Sequence, residues 1–233
     1  MGTKRVGQAQ VTIENETAGQ ARRTRRATPA LRDPLRTQAA ILDAATVEFA
    51  EKGIGGARVD AIAERAGTNK RMLYHYFGDK EGLYVAVLEQ AYRAIRTAEK
   101  DLDIAHKSPV EALSELSRFT WRYFLDHPEF ISLLNTENLH RASHLKGSRP
   151  ILEMHSNFVT ELKSVLEEGA RQGIFRAGID PINVYISIAA LGYFYLSNRH
   201  TLSAIFDRDL EDKARLEQWE SHIVATILAS VKA

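Results

Sequence analysis

With 233 residues, 44% hydrophobic and 26% charged, the chain has an ordinary globular balance, enough for one large domain or a small domain plus a larger one. No cysteine is present, which excludes a disulfide framework and a thiolate metal site. The opening MGTKRVGQAQVTIENE lacks the apolar core of a signal peptide, and no apolar run approaches the ~20 residues that span a bilayer, so a soluble cytoplasmic protein with no membrane partner is expected.

The net charge of +1 hides an asymmetry: residues 1–36 carry +5, the remainder −4. Residues 1–34 are polar and aperiodic and read as a disordered basic arm. Its Arg22, Arg23, Arg25 and Arg26 suit either solvent or a polyanion, the latter in a minor groove.

From Ala40 the pattern turns helical. Ile41, Leu42, Ala45 and Phe49 share one face, and Gly53 stands where a left-handed cap would end the helix. Two short helices follow over about 58–65 and 70–76, then a long one from Lys80 to about Lys100 behind Asp79. Ser108-Pro109-Val110-Glu111 is a capping box with proline at the first helical position. Further helices are expected after His127-Pro128, from Ser148-Arg149-Pro150 to Gly173, and over roughly 181–199 after Asp180. A last one over about 210–231, behind Asp207 or Asp209, carries Leu216, Trp219, Ile223 and Ile227 on one stripe. No β-type alternation of useful length and no repeat interrupts this, so the expected fold is all-α with about nine helices.

Function concentrates in Arg58–Leu83, RVDAIAERAGTNKRMLYHYFGDKEGL, which reads as a helix-turn-helix with its motif over 58–77. Val59, Ile62 and Ala63 form the inner face of the first helix, and small Ala63 admits a close crossing. Gly67 sits where the turn needs a positive φ. Asn69 is placed to cap the second helix, whose core anchors are Leu73 and Phe77. Lys70, Arg71, Tyr74 and His75 then point outward, each able to meet a phosphate or a base edge.

Arg36, Ile41-Leu42-Asp43-Ala44-Ala45, Phe49-Ala50, Gly53, Ile62-Ala63, Ala66-Gly67, Leu73-Tyr74, Phe77, Asp79-Lys80-Glu81 and Leu83 together resemble the tetracycline-repressor (TetR) family, collinearly over roughly 50 residues. The resemblance implies a homodimer on a palindromic double-stranded DNA operator, with repression relieved by a small-molecule effector. It implies a DNA-binding domain over 35–95 and a ligand-sensing, dimerising domain over 96–233. It assigns phosphate contacts to Tyr74 and Lys80 and base contacts to His75 and Lys70, with Arg36, Arg58, Asn69 and Arg71 completing the candidate DNA-binding set. Gly56-Ala57 depart from the pattern, since family members usually carry Ser or Thr there as a cap and phosphate contact; Arg58 is the candidate replacement. Thr68 stands where Val is usual.

For the second half, candidate ligand-binding walls are Trp121, Phe124, Phe158 and Tyr193, with His140 or His155 as a polar anchor, although an aromatic stripe at helical spacing is more often plain core. The candidate dimer interface is the last two helices, through Ile182, Ile186, Leu216, Trp219, Ile223 and Ile227. Glu137, His140 and His144 have a spacing that can hold a metal on a helix, but one Glu-x-x-His falls short of a di-iron set; a solvated polar face is expected, with no metal and no cofactor. Nothing resembles a nucleophile elbow, a phosphate loop or a dinucleotide turn, so no enzyme is expected. The alternatives are a ligand-independent DNA binder and an all-α enzyme carrying a helix-turn-helix.

Overall fold

The computed structural model describes residues 34–233, so the expected basic arm lies outside the described residues except for Pro34. Among the described residues there are nine α-helices, two 3-10 turns and one isolated bridge between Phe175 and Lys232. The helices are α1 (Pro34–Gly56), α2 (Val59–Arg65), α3 (Lys70–Phe77), α4 (Lys80–Lys100), α5 (Pro109–Asp126), α6 (Pro128–Leu139), α7 (Arg149–Arg171), α8 (Pro181–Phe206) and α9 (Lys213–Val231).

Most boundaries follow from caps legible in the sequence. Asn69 accepts from the Met72 N–H at 3.2 Å, and Asp79 from the Gly82 N–H at 2.7 Å. Ser108, Ser148 and Asp180 cap α5, α7 and α8, each ahead of a proline in the first turn. Three ends differ from expectation. Helix α1 starts at Pro34, ahead of its apolar stripe, because its first turn is solvent-exposed and needs no inward face. It breaks at Gly53 (φ 63°, ψ 173°) but regains a helical turn to Gly56. Helix α8 runs on to Phe206 and stops where Asp207 turns left-handed (φ 49°); Asp212, rather than Asp207 or Asp209, caps α9 by accepting from the Arg215 N–H.

The helices enclose two apolar clusters. One joins α1, α2, α3 and the start of α4 around Ile41, Phe49, Ile62, Leu73, Leu83 and Leu88, with Leu133 of α6 inserted among them. The other fills the body around Leu113, Leu116, Trp121, Leu162, Ile188 and Ile223, and takes in Ile95 from the last part of α4. Helix α4 therefore belongs to both cores.

Candidate functional site

The turn between α2 and α3 is built as the sequence demands. Gly67 has φ 61°, a conformation open cheaply only to glycine. Ala63 is buried where α2 and α3 meet, and Leu73 anchors α3 from below. The opposite face of α3 carries Lys70, Arg71, Tyr74 and His75, all exposed, with Tyr74 43% accessible. Arg36, Arg58 and Asn69 are exposed too, and Lys80 is half-buried at the first position of α4. Lys70 leans on Asp60 of α2, Nζ to Oδ1 3.3 Å. An exposed pair of this kind is worth at most about 1 kcal/mol, so it orients Lys70 without locking it.

Two residues outside the expected set hold this surface in place. Glu48, 1% exposed on the inner face of α1, takes Lys52 Nζ at 2.8 Å and the Arg58 backbone N–H at 3.1 Å. Arg58, the residue before α2, has no side-chain cap, so Glu48 supplies from a neighbouring helix part of what a serine or threonine usually supplies locally. The Lys52 hydrogen bond holds the Glu48 carboxyl below its ordinary pKa, against the opposing effect of burial. Gly82 is the second. A Cβ there would lie 2.2 Å from the Phe77 carbonyl oxygen, so only glycine lets α4 start this close to the end of α3.

At the other end of α4 lies a cavity of about 140 Å³ between α4 and α7. Phe158 lines it together with Arg96 and Glu99, which are each 5% exposed. Arg96 Nη1 lies 2.7 Å from Glu99 Oε2, but without the alignment of a hydrogen bond. Arg96 Nη2 donates to Tyr185 Oη at 3.1 Å, and its guanidinium packs over the Phe158 ring, 4.5 Å from the centroid. Arg96 Nε and Glu99 Oε1 have no hydrogen-bond partner. Burial pushes the Glu99 carboxyl up to about 7; Arg96 opposes the shift and Glu161 adds to it.

Other expected ligand walls are placed differently. Trp121 and Phe124 are 1% and 4% exposed, Trp121 edge-on to Tyr195 and Phe124 stacked on Phe130. Both are core, because α8 comes close at Gly192 and closes over them. Tyr193 is half-buried and donates to Asn135 Oδ1. His155 bonds the Ile151 carbonyl at 2.9 Å, its pKa lowered by burial, and His140 is exposed.

The expected interface residues divide. Ile182 and Ile186 are exposed on α8, Leu216 and Trp219 are half-buried, and the Trp219 indole N–H donates to the Leu191 carbonyl. Ile223 and Ile227 are buried within the protomer, so neither is free for a partner: α9 spends that stripe on the body core.

The solvated polar face expected at Glu137, His140 and His144 is also corrected. Glu137 is 2% exposed and bonds His144 Nδ1 at 2.7 Å and the Leu145 N–H at 3.3 Å. Helix α6 ends at Leu139, and Arg141 and Ala142 adopt positive φ, so His140 and His144 do not share a helical face. No group of three or more potential metal ligands occurs among the described residues.

A short cationic helix, rigidly held on a helix-turn-helix and joined by one long helix to a larger helical body, defines a DNA-binding transcription regulator. The family model "Bacterial regulatory proteins, tetR family" matches residues 41–87, and "Tetracyclin repressor-like, C-terminal domain" matches 109–227. The chain is 41% identical to the HTH-type transcriptional repressor NicS of Pseudomonas putida over 81% of its own length and 89% of that protein. It is 27% identical to the HTH-type transcriptional regulator RutR of Escherichia coli K12, over 83% and 89%. The fold is shared by the transcriptional regulator FadR of Bacillus subtilis, solved in complex with stearoyl-CoA, with a TM-score of 0.61 at 18% identity over 83% of this chain and 98% of that one. The protein belongs to the TetR family of transcription regulators.

Proposed function

We propose that the protein is a repressor that binds a palindromic operator as a homodimer and leaves it when a small molecule enters the body. The observation that carries this reading is α4. Its first turn abuts α3, and its last turns carry five of the nine residues that line the cavity. A helix is stiff over the ~30 Å of its length, so displacing the far end tilts the near end and the reading helix with it. The similarity to a repressor at 41% identity favours repression over activation.

In this reading Tyr74 and Lys80 hold phosphates and fix register, while Lys70 and His75 meet bases. The second copy packs on the exposed apolar residues of α8, Ile182, Ile186 and Phe194, with Leu216 and Trp219 of α9 alongside. The two reading helices then lie about one DNA turn apart, roughly 34–36 Å.

Footprinting of DNA upstream of the protein's own gene tests the reading. A protected inverted repeat with half-sites about 10 base pairs apart is expected. Protection of a single half-site, or none, overturns it. An Ile186→Glu variant should yield folded monomers that footprint weakly, whereas Ile223→Glu should unfold the protomer.

A further inference from the structure

We infer that the cavity between α4 and α7 is the effector site and takes a small single-ring carboxylate, whose anion replaces Glu99 as the partner of Arg96. The inference rests on the effector-responsive reading above and specifies the chemistry of its ligand.

The first ground is an unfinished set of contacts. A buried guanidinium normally satisfies its donors, and a buried carboxylate its lone pairs. Here Arg96 and Glu99, side chains 5% exposed, line the cavity, and Arg96 Nε and Glu99 Oε1 are buried beside it without a partner. The 2.7 Å contact between the two lacks hydrogen-bond alignment. A planar carboxylate that accepts two parallel N–H bonds from the guanidinium edge makes a stronger contact than this one.

The second ground is charge. The cavity is lined by Arg93, Arg96, Glu99 and Lys100 of α4 and by Glu161 of α7, a surplus of one positive charge. The groups bearing on Glu99 from other helices are Glu161 on α7, Tyr123 on α5 and Tyr185 on α8. None of them is a cation, so Arg96 is its one close counter-ion. Burial already weakens the hold of Glu99 on its charge near neutral pH. Once it takes up a proton, an incoming anion meets two uncompensated cations.

The third ground is size. About 140 Å³ is close to a cavity that holds one benzene ring, well below the 300–1,000 Å³ of drug-sized sites. Phe158 and Met154 supply apolar wall for the ring.

The test uses benzoate as probe and benzamide as its neutral isostere, each titrated into the free full-length protein and followed by ligand-observed NMR. Benzoate is expected to bind at least tenfold more tightly than benzamide at pH 6.5. Its affinity should fall by up to tenfold per pH unit above 7, because the displaced Glu99 must then acquire a proton. Glu99→Gln should bind benzoate at least as well and lose that pH dependence. The double variant Arg96→Gln with Glu99→Gln removes both charges together, so no lone buried ion is left, and should lose the preference for benzoate. Equal affinity of the two probes, or a preference that survives in the double variant, overturns the site. Benzoate binding that leaves operator affinity unchanged would instead overturn the effector reading and leave the carboxylate site standing.

Discussion

At its first turn α4 is held by Asp79 on the Gly82 N–H, by the Gly82–Phe77 approach and by Leu83 and Tyr84, both buried in the first core. Roughly 25 Å further along the same helix, Arg96 and Glu99 sit in the second core with contacts left unmade beside a cavity. One helix thus has an end fixed by a cap, a close approach and apolar packing, where the buried Tyr84 hydroxyl lacks a partner, and an end where a buried charged pair leaves several atoms without one. A buried charged pair short of partners has more to gain from a ligand than a single neutral hydroxyl. In the reading proposed above, that difference casts the near end as the part that transmits and the far end as the part that responds.

The harshest way to break this contrast is to strand a charge at the unfinished end. Arg96→Leu alone leaves Glu99 buried without its cation and should cost about 3–5 kcal/mol in urea unfolding. Arg96→Leu combined with Glu99→Leu should restore wild-type stability or exceed it, as apolar replacement of a buried pair often does. A double variant as unstable as the single one would show the pair to be structural, and the far end no less finished than the near one.

The next effect falls on the near end and should touch DNA alone. Tyr74→Phe removes one hydrogen bond to phosphate per protomer, about 1.5–3 kcal/mol each, so operator affinity should drop by roughly 100-fold or more while the melting temperature stays put. An affinity within threefold of wild type in a fluorescence-anisotropy titration would remove Tyr74 from the interface. Lys80→Ala is the milder companion. The plot of log affinity against log salt should lose about 0.9 of slope for each phosphate contact removed, with sequence preference unaltered.

The smallest effect is a pH slope. Glu99 is raised in the folded protein, so the native state holds a proton that the unfolded chain has already released between about pH 4.3 and 7. Stability is therefore greatest below that window and declines as pH rises through 7. Melting temperature measured from pH 5.5 to 8 should show this fall in the wild type and a shallower one in Glu99→Gln. Parallel curves would place the slope on other groups.

Much of the near end was legible in the sequence because it is written in local chemistry. Gly67, Asn69, Asp79, Leu73 and the outward Lys70, Arg71, Tyr74 and His75 each act within a few residues of where they stand. The far end was not read, although its signal was present. Tyr84, Leu88, Tyr92 and Arg96 step by four along one stripe, and Leu88, Ile95 and Glu99 run beside them, so the charged pair continues an apolar face. Glu48 follows Ala44 and Ala45 on the buried face of α1, and Glu137 lies four after Leu133 on that of α6. A charge on an apolar stripe is the mark of a buried polar contact, but its partner is distant in sequence and periodicity cannot name it. The fate of Ile223 and Ile227 was hidden for a related reason. An apolar stripe looks the same whether its cover is another helix of the protomer or a second copy.

The insertion of Leu133 into the first core has a mechanical side. The reading head is carried by two struts: α4 grips it through Leu83, Val87 and Leu88, and α6 through Leu133, with the end of α6 pinned by the Glu137–His144 bond. A load held at one point swivels in any direction, whereas a load held at two turns only about the line that joins them. In the proposed reading, a push on the far end of α4 would therefore turn α3 in a single sense, with α6 as the fulcrum.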